Sequence, residues 1–313
     1  MPETISGVLP VVHTPFLEDE SIDYESLARQ IEWAFAQGAH GYCTGMVSEL
    51  LRLSTKERVL LNETLAEANA GRGVFIAGVG AESTRQAIEY AQAAEDSGCD
   101  AIMAIPPIST ALPPRELLGY FSTLAEHVDL PLVVQDASSY VGQPIPQDVC
   151  VRLLDDFGPD RVLFKPEAAP VGPNLSALRD STGGQAQIFD GSGGVSLVDC
   201  YRRGIVGTMP GMEFLSGIVA LWKALERDDE QATYDLYLPI CALVSLQLQA
   251  GLDGFLAIEK YVLAKRGLFA TDVRRKPHAW EMDEETRLEL ERLLGQLDEA
   301  IQRVTGERSK GEQ

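Results

Sequence analysis

Residues 161–167 read RVLFKPE, a run of strand-forming apolar side chains interrupted by a lysine, with a carboxylate two positions on. An ammonium group is almost never fully buried without compensation, so the meaning of this stretch depends on where its strand lies. Working outward, seven further short apolar runs flank it: GVLPVVHTP (7–15), GYCTG (41–45), VFIAGVG (74–80), AIMAIPP (101–107), LPLVVQD (130–136), AQIFDGS (186–192) and GIVGTMP (204–210). Between them lie amphipathic patterns such as DYESLARQIEWAFAQG (23–38), TKERVLLNETLAEANAG (55–71) and TRQAIEYAQAAEDSG (84–98), several ending in a C-cap glycine. Eight strand–helix units at roughly 25- to 30-residue spacing predict parallel strands joined by crossover helices, an α/β chain closing into a (β/α)8 TIM barrel. No GxGxxG follows the first run and no GxxxxGK[ST] occurs, which argues against an open nucleotide-binding sheet. The barrel is expected over residues 1–226, and a C-terminal helical extension over 227–305 is read from 230–249, 253–267 and 283–304. The polar ending, 306–313, reads as a flexible tail.

Composition limits the function classes. The chain of 313 residues is 45% hydrophobic and 23% charged, which is globular. A net charge of −21 repels phosphate backbones and anionic lipid surfaces, so neither nucleic acid nor membrane is expected as a partner. The N-terminus, MPETISGVLPVV, carries neither a basic region nor a long apolar stretch, and a cytoplasmic protein is predicted. The five cysteines stand far apart with no CxxC pair, which predicts free thiols rather than a disulfide framework or a zinc site. The four histidines are scattered, with no HxxxH or HxH, so no metal and no cofactor is expected.

In a barrel the chemistry sits where strands end and the following loops begin. RVLFKPE is the sixth strand, and alternation puts Lys165 and Glu167 on one face, with Phe164 and Pro166 on the other. If that face points inward, both groups project toward the barrel mouth. A lysine crowded there by apolar neighbours is suited to attack a carbonyl and form a Schiff base; the alternative is a salt bridge between the strand and helix layers. The other strand ends supply His13, Thr14, Ser48, Glu49, Gln135, Asp136, Asp190, Ser192 and Thr208. Glycine-rich turns at DGSGG (190–194) and MPG (209–211) let backbone amides approach an anion such as a carboxylate, although such turns also arise for steric reasons alone. His13 can be read as a base, a ligand or a hydrogen-bonded structural residue.

Several of these segments resemble one family, the dihydrodipicolinate synthase and N-acetylneuraminate lyase superfamily of Schiff-base-forming barrels. PVVHTPF (10–16) is similar to its opening motif, GMVSELLRLSTKER (45–58) to its threonine loop, and LFKPE falls where the family carries its Schiff-base lysine. The departures narrow the resemblance. Met46 and Val47 replace the threonines, Ser48 stands at the following glycine, and Glu49 is kept. Gln135 falls at the family's relay tyrosine, Ile108 and Ser109 at the tyrosines after Pro-Pro, and Tyr140 at the arginine by which synthases clamp a second substrate. VVQDAS, FKPE, the SE pair and FDGSGG resemble instead the 2-keto-3-deoxy-L-arabonate dehydratase branch.

That resemblance implies a small 2-keto-3-deoxy sugar acid as substrate and a homo-oligomer, tetramer or dimer. Lys165 would attack the C2 ketone, Glu167 would serve as base at C3 or as acid for loss of the C4 hydroxyl, and Gln135 would position a hydroxyl or water. Glu167 has a second reading, electrostatic fixation of Lys165. Substrate contacts are expected from Val47, Ser48, Glu49, Asp136, Gly191, Ser192 and Gly207. Competing expectations are a pyruvate-dependent aldolase or dihydrodipicolinate synthase-like enzyme, and a non-catalytic 2-keto acid binding protein.

Overall fold

The computed structural model describes residues 5–306. Among the described residues, strands β1 (Gly7–Val8), β2 (Gly41–Cys43), β3 (Val74–Gly78), β4 (Ala101–Ala104), β5 (Leu132–Asp136), β6 (Val162–Pro166), β7 (Phe189–Asp190) and β8 (Gly207–Thr208) fall within the eight apolar runs. Helices α1 (Tyr24–Gln37), α2 (Thr55–Asn69), α3 (Thr84–Asp96), α4 (Pro114–His127), α5 (Gln147–Phe157), α6 (Val171–Ser181), α7 (Leu197–Arg202) and α8 (Leu215–Glu226) alternate with them. Then follow α9 (Glu230–Leu248), α10 (Gly251–Lys265) and α11 (Glu284–Thr305). The expected tail falls, past Gly306, outside the described residues.

Local chemistry sets the helix ends. The side chain of Asp23 accepts from Ser26 N at the start of α1, Ser54 and Glu57 form a reciprocal capping box at α2, and Ser83 accepts from Gln86 N at α3. Gly38 closes α1 in the left-handed conformation and returns its N–H to the carbonyls of Ala34 and Phe35.

All strand pairings are parallel, which places the fold in the α/β class. Five strands pair in the order β2-β3-β4-β5-β6 and three in the order β1-β8-β7. Both edges of one sheet are bridged to the other, by Val11 with Cys43 and by Phe164 with Ile188. Register sets Gln135 opposite Lys165 and Asp136 opposite Pro166.

Period-2 alternation divides the apolar residues into two clusters. Leu9, Cys43, Ile76, Met103, Val133, Leu163, Phe189 and Met209, one from each strand or the residue beside it, pack on one another. The intervening positions, among them Val134, Val162 and Phe164, pack instead against the helices. Leu163, Lys165 and Glu167 therefore continue one face along β6: the apolar residue sits among the packed strand interiors and the two charged ones follow toward the strand's C-terminal end.

The last three helices join the same outer cluster. Leu236, Ile240 and Leu243 of α9 and Leu290 and Leu297 of α11 are buried together with Ile218 and Leu221 of α8. Charged contacts add to this: Arg52 donates to Asp253 at 2.9 Å, Arg275 pairs with Glu57, and the buried Lys260 pairs with the buried Glu49.

Candidate active site

At the C-terminal ends of the strands lies a cleft of about 450 Å³, lined by Val11, Met46, Val47, Gln135, Tyr140, Lys165, Glu167, Gly191, Gly193, Met209, Gly211, Leu252, Phe255 and Glu259. Lys165 is only 3% exposed and Glu167 6%. Their charged atoms are 3.6 Å apart, and Gln135 Nε2 donates to Glu167 Oε2 at 2.6 Å. The strand pairing causes this contact, because Gln135 and Lys165 are cross-strand neighbours and Glu167 stands one pleat beyond Lys165. The main chain of Glu167 is fixed too, its N–H donating to the Asp136 carbonyl at 3.0 Å and its carbonyl accepting from the Ser139 hydroxyl.

Burial raises the Glu167 carboxyl above its ordinary range, the ammonium of Lys165 and the amide of Gln135 pull it back, and Asp190 raises it again. Asp190 is itself raised by burial, while accepting from Ser192 N at 3.2 Å and Thr208 Oγ1 at 3.0 Å. A carboxyl raised in this way is suited to exchange a proton with a group held beside it, and Lys165 stands next to it where a ketone could be attacked.

Gly191 supplies the third wall. A methyl on it would lie 2.5 Å from both Lys165 Cε and Glu167 Oε1, so the bare backbone is what lets the lysine and carboxylate stand side by side. Val47 lines the cleft as well.

Other expected contacts are placed elsewhere. Ser48 is fully buried, with its hydroxyl donating to the Val12 carbonyl and accepting from Gly45 N at 3.0 Å, which ties up the side chain within the loop. Glu49 faces away from the cleft, held by Lys260, Arg52 and Arg275 N. Asp136 uses one oxygen on Ser138 N (3.0 Å) and the other on Ile145 N (2.8 Å), bracing the loop after β5. Ser192 Oγ accepts from Ser196 N at 2.9 Å, just before α7. Gly207 is packed within β8, where a methyl would strike the backbone of Gly7. These five do not line the cleft; period, burial and loop position gave them the same signature as the residues that do.

Glu259 was not anticipated. It lies on α10, within GFLAIEKYVLAK, where its i−4 and i+4 neighbours are Phe255 and Leu263. A carboxylate on the apolar face of a helix was the signal for it. The fold brings it beside His13 and Glu213, all three buried, with donor atoms within 4.8 Å of one another. Ligand-type neighbours thus reach His13 from distant parts of the chain, although no second histidine stands near it in sequence. The donor set is one a cation could span, yet both imidazole nitrogens are engaged: Met212 N donates to Nε2 at 3.2 Å, and Nδ1 faces the Val47 carbonyl at 3.3 Å. With the Nε2 lone pair already accepting, the trio does not fit a resident metal.

A parallel α/β fold with a buried lysine–carboxylate pair at the C-terminal strand ends has its candidate groups where barrel enzymes carry their chemistry. The model of the dihydrodipicolinate synthetase family matches residues 4–297, and the chain belongs to this family of enzymes. It is 26% identical over 306 residues to the L-2-keto-3-deoxyarabonate dehydratase of Azospirillum brasilense, covering 95% of this chain and 96% of that one. An uncharacterized DapA-like lyase of Pyrococcus abyssi is 36% identical over 154 residues, so the matched stretch spans about half of each protein, 49% and 51%. The pyruvate-complexed, chloride-inhibited dihydrodipicolinate synthase of Acinetobacter baumannii superposes with a TM-score of 0.84 at 25% identity, over 94% of this chain and 99% of that one.

Proposed function

We propose that the protein is a Schiff-base-forming lyase that dehydrates a 2-keto-3-deoxy sugar acid, of the kind that converts 2-keto-3-deoxy-L-arabonate to 2-oxoglutarate semialdehyde. The observation that carries this reading is the Lys165–Glu167–Gln135 group, buried in one cleft and pressed against Gly191. Gln135 in contact with the carboxylate favours water loss over a tyrosine-relayed condensation, because an amide can hold a hydroxyl but cannot carry a proton. The near full-length similarity to the Azospirillum dehydratase supports the same choice of substrate. We read the two bridged sheets as one closed (β/α)8 barrel and α9–α11 as an extension packed on it; a homo-oligomer in the cytoplasm completes the picture.

In this scheme Lys165 Nζ attacks the C2 ketone, water leaves, and the resulting iminium acidifies C3. Glu167 takes a C3 proton, and the C–H electrons form the enamine. The enamine then expels the C4 oxygen. Of the remaining lining residues, Val47 and the backbone at Gly191 flank the substrate, and Tyr140 stands edge-on to Phe255 at 5.6 Å as part of the far wall.

Product analysis with 2-keto-3-deoxy-L-arabonate tests the reading. A semialdehyde is expected, while pyruvate plus an aldehyde would make the enzyme an aldolase, and neither product despite binding would make it a binding protein.

A further inference from the structure

The buried trio beside the cleft carries a second assignment, which rests on the dehydratase reading. His13 lies on the segment after β1, Glu213 on the loop after β8, and Glu259 on α10; His13 is fully buried, Glu213 2% exposed and Glu259 1%. Gln247 Nε2 donates to Glu213 Oε1 at 2.7 Å, but Glu213 Oε2 and Glu259 Oε2 have no hydrogen-bond partner. These two oxygens lie 3.7 Å and 3.4 Å from the His13 nitrogens. A methyl on Gly211 would lie 2.1 Å from Glu213 Oε2 and 2.9 Å from Glu259 Oε1, so glycine keeps open the passage in which the two carboxyls meet. Gly211 and Glu259 both line the cleft that holds Lys165.

Charged carboxylate oxygens without hydrogen-bond partners are costly in such a place, and the His13 nitrogen nearest Glu259 is shared with the Val47 carbonyl at 3.3 Å. A proton on Glu259 relieves that cost. Burial first, and the neighbouring Glu213 second, push the Glu259 carboxyl well above its ordinary range, with Lys260 opposing and Glu49 reinforcing. A neutral carboxyl lining the cleft is suited to assist loss of a hydroxyl, because hydroxide is a poor leaving group and water a good one.

We propose that Glu259 is the general acid that protonates the C4 hydroxyl as it departs, with Glu213 and His13 as positioning residues that keep its proton in place. The step balances. The enamine nitrogen re-forms C2=N, the C2=C3 electrons move to C3=C4, the C4–O bond breaks onto oxygen, and oxygen takes the Glu259 proton and leaves as water. Glu259 ends as a carboxylate and recovers its proton before the next turnover. Glu167 is thereby left with the single task of base at C3.

The test uses the full chain and 2-keto-3-deoxy-L-arabonate. In Glu259→Gln, borohydride trapping at Lys165 and exchange of the C3 protons in D2O should stay near wild type, while water loss falls about 10²- to 10⁴-fold. An analogue bearing fluorine at C4, which needs no proton to depart, should be turned over by this variant within about tenfold of wild type. Glu213→Gln removes the neighbouring charge and should move the alkaline limb of the kcat profile to lower pH by about one unit. Water loss within about threefold of wild type in Glu259→Gln, or no rescue by the fluoro analogue, overturns the assignment. Should Glu259→Gln not fold, the Glu213→Gln profile decides, and an unmoved alkaline limb overturns it. Failure of the dehydratase reading looks different: the wild-type enzyme itself then gives no adduct or no water-loss product.

Discussion

At the scale of single residues the site depends on close contact rather than on any unusual side chain. Lys165, Glu167 and Gln135 are ordinary residues brought together by position, with Gly191 holding the space in which the first two meet. Gly191→Ala should therefore cost about a hundredfold in kcat with the fold intact, since a displacement of about 1 Å at a reacting group costs that much. Circular dichroism and a kcat measurement check it together. Lys165 and Glu167 could be picked out from RVLFKPE because strand alternation and an unexplained charge are both visible in the sequence. Ser48, Asp136 and Gly207 carry the same visible marks, but hydrogen bonds to loop backbone or strand packing claim them, and only three-dimensional contact distinguishes the two outcomes. Glu259 escaped for the opposite reason: it comes from a helix almost a hundred residues further along, and no local pattern links α10 to the end of β6.

At the scale of elements, the strands and helices were legible nearly throughout. Glycine C-caps, capping serines and apolar runs act locally, so the expected helix of 230–249 is α9 (Glu230–Leu248) and that of 84–98 is α3 (Thr84–Asp96). What local patterns do not show is how α10 is held to the rest. Lys260 is fully buried, donates to the Val273 carbonyl at 2.9 Å, lies 4.1 Å from the Phe16 ring centre, and pairs with Glu49. Removing one partner of a buried pair leaves the other uncompensated, so Glu49→Ala should destabilise the protein by ~3–5 kcal/mol in urea unfolding. Combining it with Lys260→Met should restore most of that loss. The nearby Glu57 is held down to about 2 by its hydrogen bonds to Arg275. Because its folded value lies below its unfolded one, its contribution is present above the ordinary carboxylate range and is lost as pH falls from there through about 2.

At the scale of the whole molecule the pH response carries two opposite signs. Glu167, Asp190 and Glu259 are all raised, chiefly by burial, so the native state holds protons that the unfolded chain releases. Such groups stabilise below the ordinary carboxylate range, and their contribution disappears as pH rises through the folded values. Thermal unfolding should therefore show Tm falling from mildly acid to alkaline pH, and Glu259→Gln should flatten that fall. The net charge of −21 deepens it at low salt. Activity should follow a bell, rising as Glu167 loses its proton and declining as Glu259 does. Among the described residues no helix is long and apolar enough to cross a membrane. Leu238 and Leu248 stand out from α9 as exposed apolar side chains, the natural place to look for a neighbouring copy when sedimentation gives the subunit number.

Sodium borohydride reduction decides whether Lys165 forms the imine on which the proposed dehydration rests. The protein is incubated with pyruvate, and separately with 2-keto-3-deoxy-L-arabonate, then reduced, digested and mapped by mass. A stable adduct on the peptide containing Lys165, absent from Lys165→Ala, is the result expected. Folded protein that gives no adduct with either compound, or an adduct on another lysine, would contradict it.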